Sequence, residues 1–180
     1  MMESVDIRPL TLHDDIETVA SFARDVWNEY YIPLIGRAQV DYMLGRFQSA
    51  GAIREQLDSG YEYFVVRRSG ALIGYLSVKP EPAAGELFIS KLYLHKSSRG
   101  SGTGRRCMEF IEQLARQRGL TRLWLTVNKG NPSVRVYERL GFRIAADVVI
   151  DIGSGFVMDD YRMEKVLRST ESEAHPAGAQ

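Results

Sequence analysis

Apolar side chains recur at helical spacing in the first part of the chain. One stripe runs over residues 16–30 and a second over residues 40–57. Apolar residues three and four positions apart lie on one face of an α-helix, so each stripe predicts a helix that buries that face. Pro33 and Gly36 separate the stripes and Gly51 interrupts the second, which predicts helix breaks at these positions.

The pattern then changes to short runs rich in aromatic and β-branched residues, which favour strands. Three such runs cover residues 61–67, 71–79 and 86–94, and a shorter run at 5–11 precedes the helices. The tripeptide Arg68-Ser69-Gly70 links the runs at 61–67 and 71–79 and is typical of a tight hairpin turn. Consecutive antiparallel strands are therefore predicted in the middle of the chain.

Helices and strands alternate after residue 94. The pattern predicts, in order, a helix over residues 107–115, a strand over 122–127, a helix over 131–141, and strands over 143–151 and 156–166. Strands in a row, with helices before and between them, indicate an α+β domain around one mixed sheet. The polar, small-residue segment 169–180 is predicted to be a disordered tail, which leaves residues 1–168 as a single domain.

Composition restricts the class of protein. The chain has 180 residues, of which 44% are hydrophobic and 26% charged, as in a soluble globular domain. Its 23 basic and 23 acidic residues cancel, and this balance argues against a nucleic-acid or membrane-surface partner, because both need a basic excess. No apolar run approaches the roughly 20 residues of a membrane span, and the first residues include acids, unlike a secretory signal.

The residues that hold metals or form disulfides are sparse. Cys107 is the only cysteine and cannot form an internal disulfide, which suits a cytoplasmic protein. The three histidines, His13, His95 and His175, are too far apart in sequence to suggest a metal site. We therefore predict a cytoplasmic protein that needs no metal.

A glycine-rich loop between a predicted strand and helix is the clearest candidate for a binding site. The loop reads Arg99, Gly100, Ser101, Gly102, Thr103, Gly104 and Arg105. Alternating glycines allow positive φ angles, which turn successive N–H groups into a concave nest, and the next helix adds the positive end of its dipole. Residues 91–108 contain five Lys or Arg residues and no acid. The loop is predicted to bind a phosphate or pyrophosphate; the alternative is a tight turn beside a solvated basic surface.

The loop resembles the signature of the GNAT superfamily of N-acetyltransferases, which is Gln or Arg, two residues, Gly, one residue, then Gly or Ala. Arg99, Gly102 and Gly104 fill these positions. Residues 131–142 are similar to the family's Asn followed by Tyr-x-x-x-Gly-Phe, and the order and spacing agree from about residue 61 to residue 142. The resemblance implies a mixed, mostly antiparallel twisted sheet with helices on both faces.

The resemblance also implies acetyl-coenzyme A as the acetyl donor and a primary amine as the acceptor. The backbone of Leu92, Tyr93 and Leu94 would run beside the pantetheine arm and direct an N–H at the thioester carbonyl. Residues 100–105 would hold the pyrophosphate, and Asn131 would hydrogen-bond the pantetheine. The alternative for residues 92–94 is an ordinary core strand.

Tyr137 corresponds to the family's proton donor to the leaving thiolate, a general acid. The alternative is a core aromatic residue on the helical face shared with Val134 and Leu140. Many relatives place the Tyr seven residues after the Asn, whereas Tyr137 comes six residues after Asn131 here. Asn128 is therefore an alternative to Asn131 in the cofactor contact.

The general base is not identified by the motif. Ser90 and Thr126 stand where many relatives carry a glutamate, and neither can take a proton. An alkylammonium of pKa near 10.4 is deprotonated only about once in 10³ molecules at pH 7, so some group must assist. Glu86, His95 and an acid of the last strands remain the candidates.

The acceptor is predicted to be a small polyamine more than a protein. Residues 153–161 and 39–43 are similar to bacterial relatives of spermidine/spermine acetyltransferases. An acceptor site between the first helices and the last strands would supply carboxylates and aromatic faces for its cations. The residues predicted to gather there are Trp27, Glu29, Tyr30, Tyr31, Asp41, Tyr42, Asp159, Asp160 and Tyr161.

Two other functions are consistent with the motifs. One is acetylation of another amine, first that of a peptide or protein N-terminus or lysine and then that of a small antibiotic, and the other is a non-catalytic module that senses coenzyme A. The tyrosine at the proton-donor position favours an enzyme, because a sensor does not need it. A homodimer is left open by the sequence.

Overall fold

The computed structural model describes residues 4–11 and 16–168, so the predicted tail at 169–180 lies outside the described residues. Within them, seven strands form one sheet. They are β1 (Val5–Pro9), β2 (Glu62–Arg68), β3 (Ala71–Glu81), β4 (Glu86–Leu94), β5 (Arg122–Asn128), β6 (Arg143–Gly153) and β7 (Phe156–Val166). Their order across the sheet is β1-β2-β3-β4-β5-β7-β6. Only β4 and β5 pair in parallel among these strands.

The helices precede the sheet strands or connect them. They are α1 (Ile16–Tyr30), α2 (Ile32–Ile35), α3 (Arg37–Met43), a π-helical turn (Leu44–Gln48), α4 (Ala50–Asp58), α5 (Thr103–Gln117) and α6 (Ser133–Arg139). No helix in the described part of the chain is long and apolar enough to cross a membrane.

Two hydrophobic clusters attach the helices to opposite faces of the sheet. Trp27 of α1 and Ile53 of α4 pack with Tyr75 on one face. Ile111 of α5 packs with Leu76 and the strand residues around it on the other face, and α6 lies on this side as well. The predicted α+β fold, a mixed and mostly antiparallel sheet with helices on both faces, is confirmed.

The predicted elements are confirmed for most of the chain, with two corrections in the helical region. The turn after β2 is confirmed as a tight hairpin, since Ser69 and Gly70 have φ angles of 49° and 83°. The segment around Pro33 was predicted as a break but forms α2, because proline is compatible with a first helical turn. Gly51 lies inside α4, and the break comes earlier, at Ser49, whose hydroxyl caps α4 by accepting from Ala52 N at 3.2 Å.

The two parallel strands separate along their length. They pair only at the three positions from Glu86 to Phe88, after which no pairing between β4 and β5 is recorded. The register between β3 and β4 shifts at the same level, since Ser77 faces Lys91 while Val78 faces Ile89, so Ser90 forms a β-bulge. The remainder of β4 therefore presents a backbone edge that β5 leaves bare.

The close approach of β3 to β4 requires Gly74. A Cβ there would lie 2.5 Å from Leu94 Cδ2 and 2.7 Å from the backbone oxygen of Tyr93, which cannot move aside as a side chain can. We expect Gly74→Ala to destabilise the protein by about 1–3 kcal/mol, as overpacking of a core does. Urea unfolding measures this change.

Gly51→Ala is the matched control for that prediction. Its new methyl would meet only Ser49 Oγ, at 4.0 Å, and Gly51 lies in a helix, where alanine is favoured by up to about 1 kcal/mol. Equal unfolding midpoints for the two variants would show that the strands tolerate a side chain at Gly74.

Candidate active site

A cavity of about 920 Å³ lies between the sheet and the helices α1 to α4. Trp27 of α1 and Tyr31, which directly follows α1, contribute to its helical wall, and Tyr93 of β4 and Asp160 of β7 contribute to its sheet wall. The cavity also includes residues of both β4 and β5 beyond the point where their pairing ends. It therefore extends to the gap between these strands.

The glycine-rich loop follows β4 and leads into α5. Gly100 and Gly102 have φ angles of 71° and 83°, as predicted. Gly104 was predicted to share this conformation, but it is the second residue of α5 and lacks a positive φ, because the helix begins at Thr103. The loop thus needs two left-handed glycines and not three.

The loop has the donors of an anion site. Among the described residues, no backbone N–H from Gly100 to Arg105 has a hydrogen-bond partner, because these groups precede the first bonded turn of α5. Arg105 and Arg106 are exposed, and no described carboxylate pairs with either. Six consecutive free N–H groups at a helix N-terminus with two free cations suit a phosphate group.

Arg99 does not add to that free charge. Its guanidinium donates two hydrogen bonds to Glu29 of α1, at 2.8 and 3.2 Å, and one to Leu94 O at 3.1 Å. It also lies 4.9 Å from the centre of the Tyr30 ring. Arg99 therefore connects the end of β4 to α1.

The side chains of Ser101 and Thr103 hydrogen-bond other groups of the protein and so fix the loop. Arg68, which the sequence did not single out, donates to Thr103 Oγ1 at 2.8 Å and to Ser101 Oγ at 3.4 Å. Ser101 Oγ in turn donates to Ser98 O at 2.7 Å. Only the backbone of these two residues is left for a ligand.

The three β4 residues of the predicted pantetheine contact divide between two environments. Leu92 and Tyr93 line the cavity. Leu94 does not line it, and both Leu92 and Leu94 pack against the hydrophobic cluster beneath α5. All three pair with β3 through residues 74–76 on one side and have no strand partner on the side of β5.

Asn131 lines the cavity and lies two residues before the start of α6. Its side-chain oxygen accepts from Ser133 N at 2.8 Å and from the Tyr30 hydroxyl at 2.7 Å, and it is 5% exposed. Its side chain also interacts with the Tyr31 hydroxyl. Asn128, the alternative residue, lines the cavity too, but its oxygen accepts from Gly130 N at 2.9 Å within the preceding turn. Both asparagines thus have structural partners.

Tyr137 lines the cavity from α6. Its ring is half-buried and packs edge-to-face on Phe142, with centroids 5.7 Å apart. Its hydroxyl has no hydrogen-bond partner among the described residues. Burial raises the pKa of Tyr137 to about 12, helped by the nearby Tyr30, so the phenol is protonated at neutral pH.

A carboxylate of the last strands also lies in this cavity. Asp160 is 4% exposed, and burial raises its pKa to about 6, against a hydrogen bond with Thr126 that lowers it. Tyr31 interacts electrostatically with both Tyr137 and Asp160, so these groups surround one part of the cavity.

The other two candidate bases lie elsewhere. Glu86 binds Arg122 at 3.0 Å and Arg162 at 3.2 Å. His95 is exposed, beyond the end of β4, with Nδ1 2.8 Å from Ser97 Oγ. Neither lines the cavity.

The cavity wall contains a buried lysine that the sequence did not mark as a separate feature. Lys91 Nζ donates to Gln56 Oε1 at 2.5 Å and lies 5.4 Å from the centre of the Tyr63 ring. The signal that could have found it is a charged residue within the strand run Ile89 to Leu94.

The predicted polyamine site is only partly assembled. Of its nine residues, the cavity contains Trp27, Tyr31 and Asp160. The acids Glu29 and Asp159 are paired with basic residues, at 2.8 Å from Arg99 and 2.9 Å from Lys129, respectively. None of the remaining members lines the cavity.

Comparison with known proteins identifies the family. The model of the acetyltransferase (GNAT) family matches residues 21–142, which is 122 of 180 residues. The chain belongs to this family. Among solved structures, the PaiA N-acetyltransferase of Thermoplasma acidophilum in complex with coenzyme A aligns with a TM-score of 0.73 and 21% identity, covering 91% of this chain and 99% of that one. This likeness shows the shared GNAT fold.

Two curated relatives are acetyltransferases by name. Streptothricin acetyltransferase of Streptomyces lavendulae is 34% identical over 93 residues, covering 51% of this chain and 49% of that protein. Mycothiol acetyltransferase of Acidothermus cellulolyticus is 28% identical over 167 residues, covering 81% of this chain and 50% of that protein. The chain spans about half the length of these curated relatives.

Proposed function

We propose that the protein is an N-acetyltransferase that transfers the acetyl group of acetyl-coenzyme A to a primary amine in a ternary complex. The observation that carries the proposal is the bare edge of β4, which runs from the cavity holding Tyr137 and Asp160 toward the loop with the free N–H groups. Family membership and the names of the relatives support the same reaction.

The cofactor is proposed to lie along the bare edge of β4. Its pyrophosphate would accept hydrogen bonds from the N–H groups of residues 100–105, with Arg105 nearby. The pantetheine would follow residues 92–94, and a free N–H of this edge would stabilise the negative charge that develops on the thioester oxygen. Asn131 would contribute at the start of α6.

The amine is proposed to enter the cavity beneath α1 to α4 and attack the thioester carbonyl. Asp160 would receive the proton of the ammonium, directly or through water, because its carboxylate is ionised above about pH 6. The nitrogen–carbon bond forms, the carbon–sulfur bond breaks, and the Tyr137 hydroxyl supplies a proton to the leaving thiolate. The products are an N-acetylated amine and free coenzyme A.

Release of free coenzyme A tests this function. Purified protein is mixed with acetyl-coenzyme A and a panel of small amines, diamines, spermidine, spermine and N-terminal peptides. We expect thiol release that depends on both the protein and an amine. Binding of acetyl-coenzyme A without turnover on any acceptor would instead support the sensing module.

The acceptor class is proposed to be a small molecule. The cavity is formed within the fold, between the sheet and the helices. The names of the two curated relatives also refer to small molecules, streptothricin and mycothiol. The polyamine prediction stays a prediction, and the buried cation Lys91 weighs against a polycation. Peptide turnover alone in the assay would contradict the small-molecule proposal.

The loop assignment predicts the effect of Gly102→Val. A branched side chain is strained at a φ of 83° and would project over the nest of N–H groups. We expect the affinity for acetyl-coenzyme A to fall at least about tenfold through lost hydrogen bonds, as measured by calorimetry. Gly60→Val is the matched control, with a φ of 88° and open space around it. Equal affinities in the two variants would place the phosphates elsewhere.

A further inference from the structure

Lys91 is a buried cation without a counter-ion. It is 5% exposed, and no carboxylate of the described residues lies within 4 Å of its Nζ. Two other lysines, by contrast, are paired, since Lys129 contacts Asp159 at 2.9 Å and Lys165 contacts Glu112 at 2.6 Å. A buried charge with no partner is costly, so its presence in a cavity wall calls for a role.

The neighbours of Lys91 leave donors free. Gln56 Oε1 accepts from Lys91 at 2.5 Å and also from the Tyr63 hydroxyl at 2.7 Å. The amide nitrogen of Gln56 donates to Phe47 O at 3.1 Å, which fixes the orientation of the amide. An ammonium has three N–H donors, and only one has a hydrogen-bond acceptor here. Burial alone lowers the pKa of Lys91 to about 7, with no contribution from a carboxylate.

A buried carboxylate lies across the cavity from this lysine. Asp160 belongs to β7, which is separated from β4 by β5. Two strand spacings put the two backbones on the order of 10 Å apart, and the divergence of β4 from β5 adds to this distance. Arg46, Glu55 and Arg162 also line the cavity, but Lys91 and Asp160 are its buried charged residues, and they lie at separate places. Tyr31 and Tyr93 form an aromatic wall in the same cavity.

We propose that Lys91 binds a carboxylate of the acceptor, so that the substrate is an amine that also carries a carboxylate. This inference rests on the proposed function, in which the reacting amine lies near Asp160. One ammonium matches the single charge of a carboxylate. The phosphates of acetyl-coenzyme A are assigned to the nest beyond Leu94, whereas Lys91 faces Gln56 of α4, on the acceptor side of the sheet.

Matched pairs of acceptors test the proposal. Unbranched ω-amino carboxylic acids of three to six carbons are compared with alkylamines and diamines of the same length, and kcat/KM is measured for each. We expect wild-type protein to prefer the amino acid at one chain length or more by about ten- to hundredfold, the effect of a charge-assisted hydrogen bond.

Lys91→Met is the informative variant, because methionine keeps much of the side-chain length and removes the charge. We expect the preference for the amino acid over the alkylamine to fall to about one, while the affinity for acetyl-coenzyme A by calorimetry is retained. Lys79→Met is the control, since Lys79 lies over the Tyr61 ring and does not line the cavity. It should keep the wild-type preference.

The outcomes separate the inference from the function on which it rests. Turnover of amines with no preference for the carboxylate, or a preference that survives Lys91→Met, would overturn the inference and leave the acetyltransferase in place. Binding of acetyl-coenzyme A without turnover of any amine would overturn both. A thermal melt of Lys91→Met accompanies the kinetics, and a buried lysine replaced by an apolar residue should not lower its midpoint.

Discussion

Replacing Tyr137 by Phe is expected to lower turnover by about 10²- to 10⁴-fold, the usual contribution of a general acid. The substitution keeps the ring on Phe142 and removes only the hydroxyl, which has no partner among the described residues. Because the pKa of Tyr137 is raised to about 12, the phenol is a proton donor throughout the neutral range. Coenzyme A release at saturating substrates measures the loss.

Tyr161→Phe is the control for that experiment. Tyr161 packs against the cluster on the α5 side of the sheet and does not line the cavity. It should retain wild-type turnover. We expect both variants to keep the unfolding temperature and the acetyl-coenzyme A affinity of the wild type. Unchanged turnover in Tyr137→Phe would assign the tyrosine to the core, as the alternative interpretation has it.

The sequence predicted the parts of the site that local chemistry determines. The positive φ angles of Gly100 and Gly102 could be predicted because a tight strand-to-helix turn requires them. That turn is determined by residues that are neighbours in sequence. The strands and their hairpins follow from periodicity for the same reason. Gly104 was predicted wrongly because the sequence does not specify on which residue the helix begins.

The remaining parts of the site depend on contacts between residues that are far apart in sequence. Arg99 is 70 residues from Glu29 in sequence, and only the packed fold shows that its guanidinium is occupied. Asp160 lies beside Asn128 because β7 pairs with β5, and this register could not be derived from either strand alone. A single charged residue within a strand, such as Lys91 or Asp160, has no periodicity to mark its orientation.

The fold also explains how the proposed catalytic groups come together without a glutamate at Ser90 or Thr126. Thr126 lies on β5 and hydrogen-bonds Asp160 of the neighbouring β7. The carboxylate is thus supplied one strand away from the position that carries it in many relatives. We infer that the side chain of Thr126 positions this carboxylate and does not itself exchange a proton.

Asp160→Asn is expected to lower kcat by about 10²-fold or more, because an amide cannot take the proton of the ammonium. In the wild type, kcat/KM should fall below about pH 6, where the carboxylate of Asp160 becomes protonated. The pH–rate profile of the variant should lack this decrease at acidic pH. A pH–rate profile of both proteins measures the difference. A higher KM with unchanged kcat would mean that Asp160 only anchors the ammonium.

The same substitution should stabilise the protein at alkaline pH. The pKa of Asp160 is raised from 3.8 to about 6 on folding, so the folded state binds more protons than the unfolded chain between these values. Stability contributed by this group is therefore present below about pH 4 and is lost as the pH rises through about 6. At 1.36 kcal/mol per pKa unit, the ionised carboxylate costs up to about 3 kcal/mol above that range.

Asp160→Asn removes this cost, so its unfolding free energy should exceed that of the wild type at pH 8 and approach it near pH 4. An inactive variant that is also no more stable at pH 8 would mean that the Asp160 carboxylate is not strained by burial, and the source of its basicity would have to lie elsewhere.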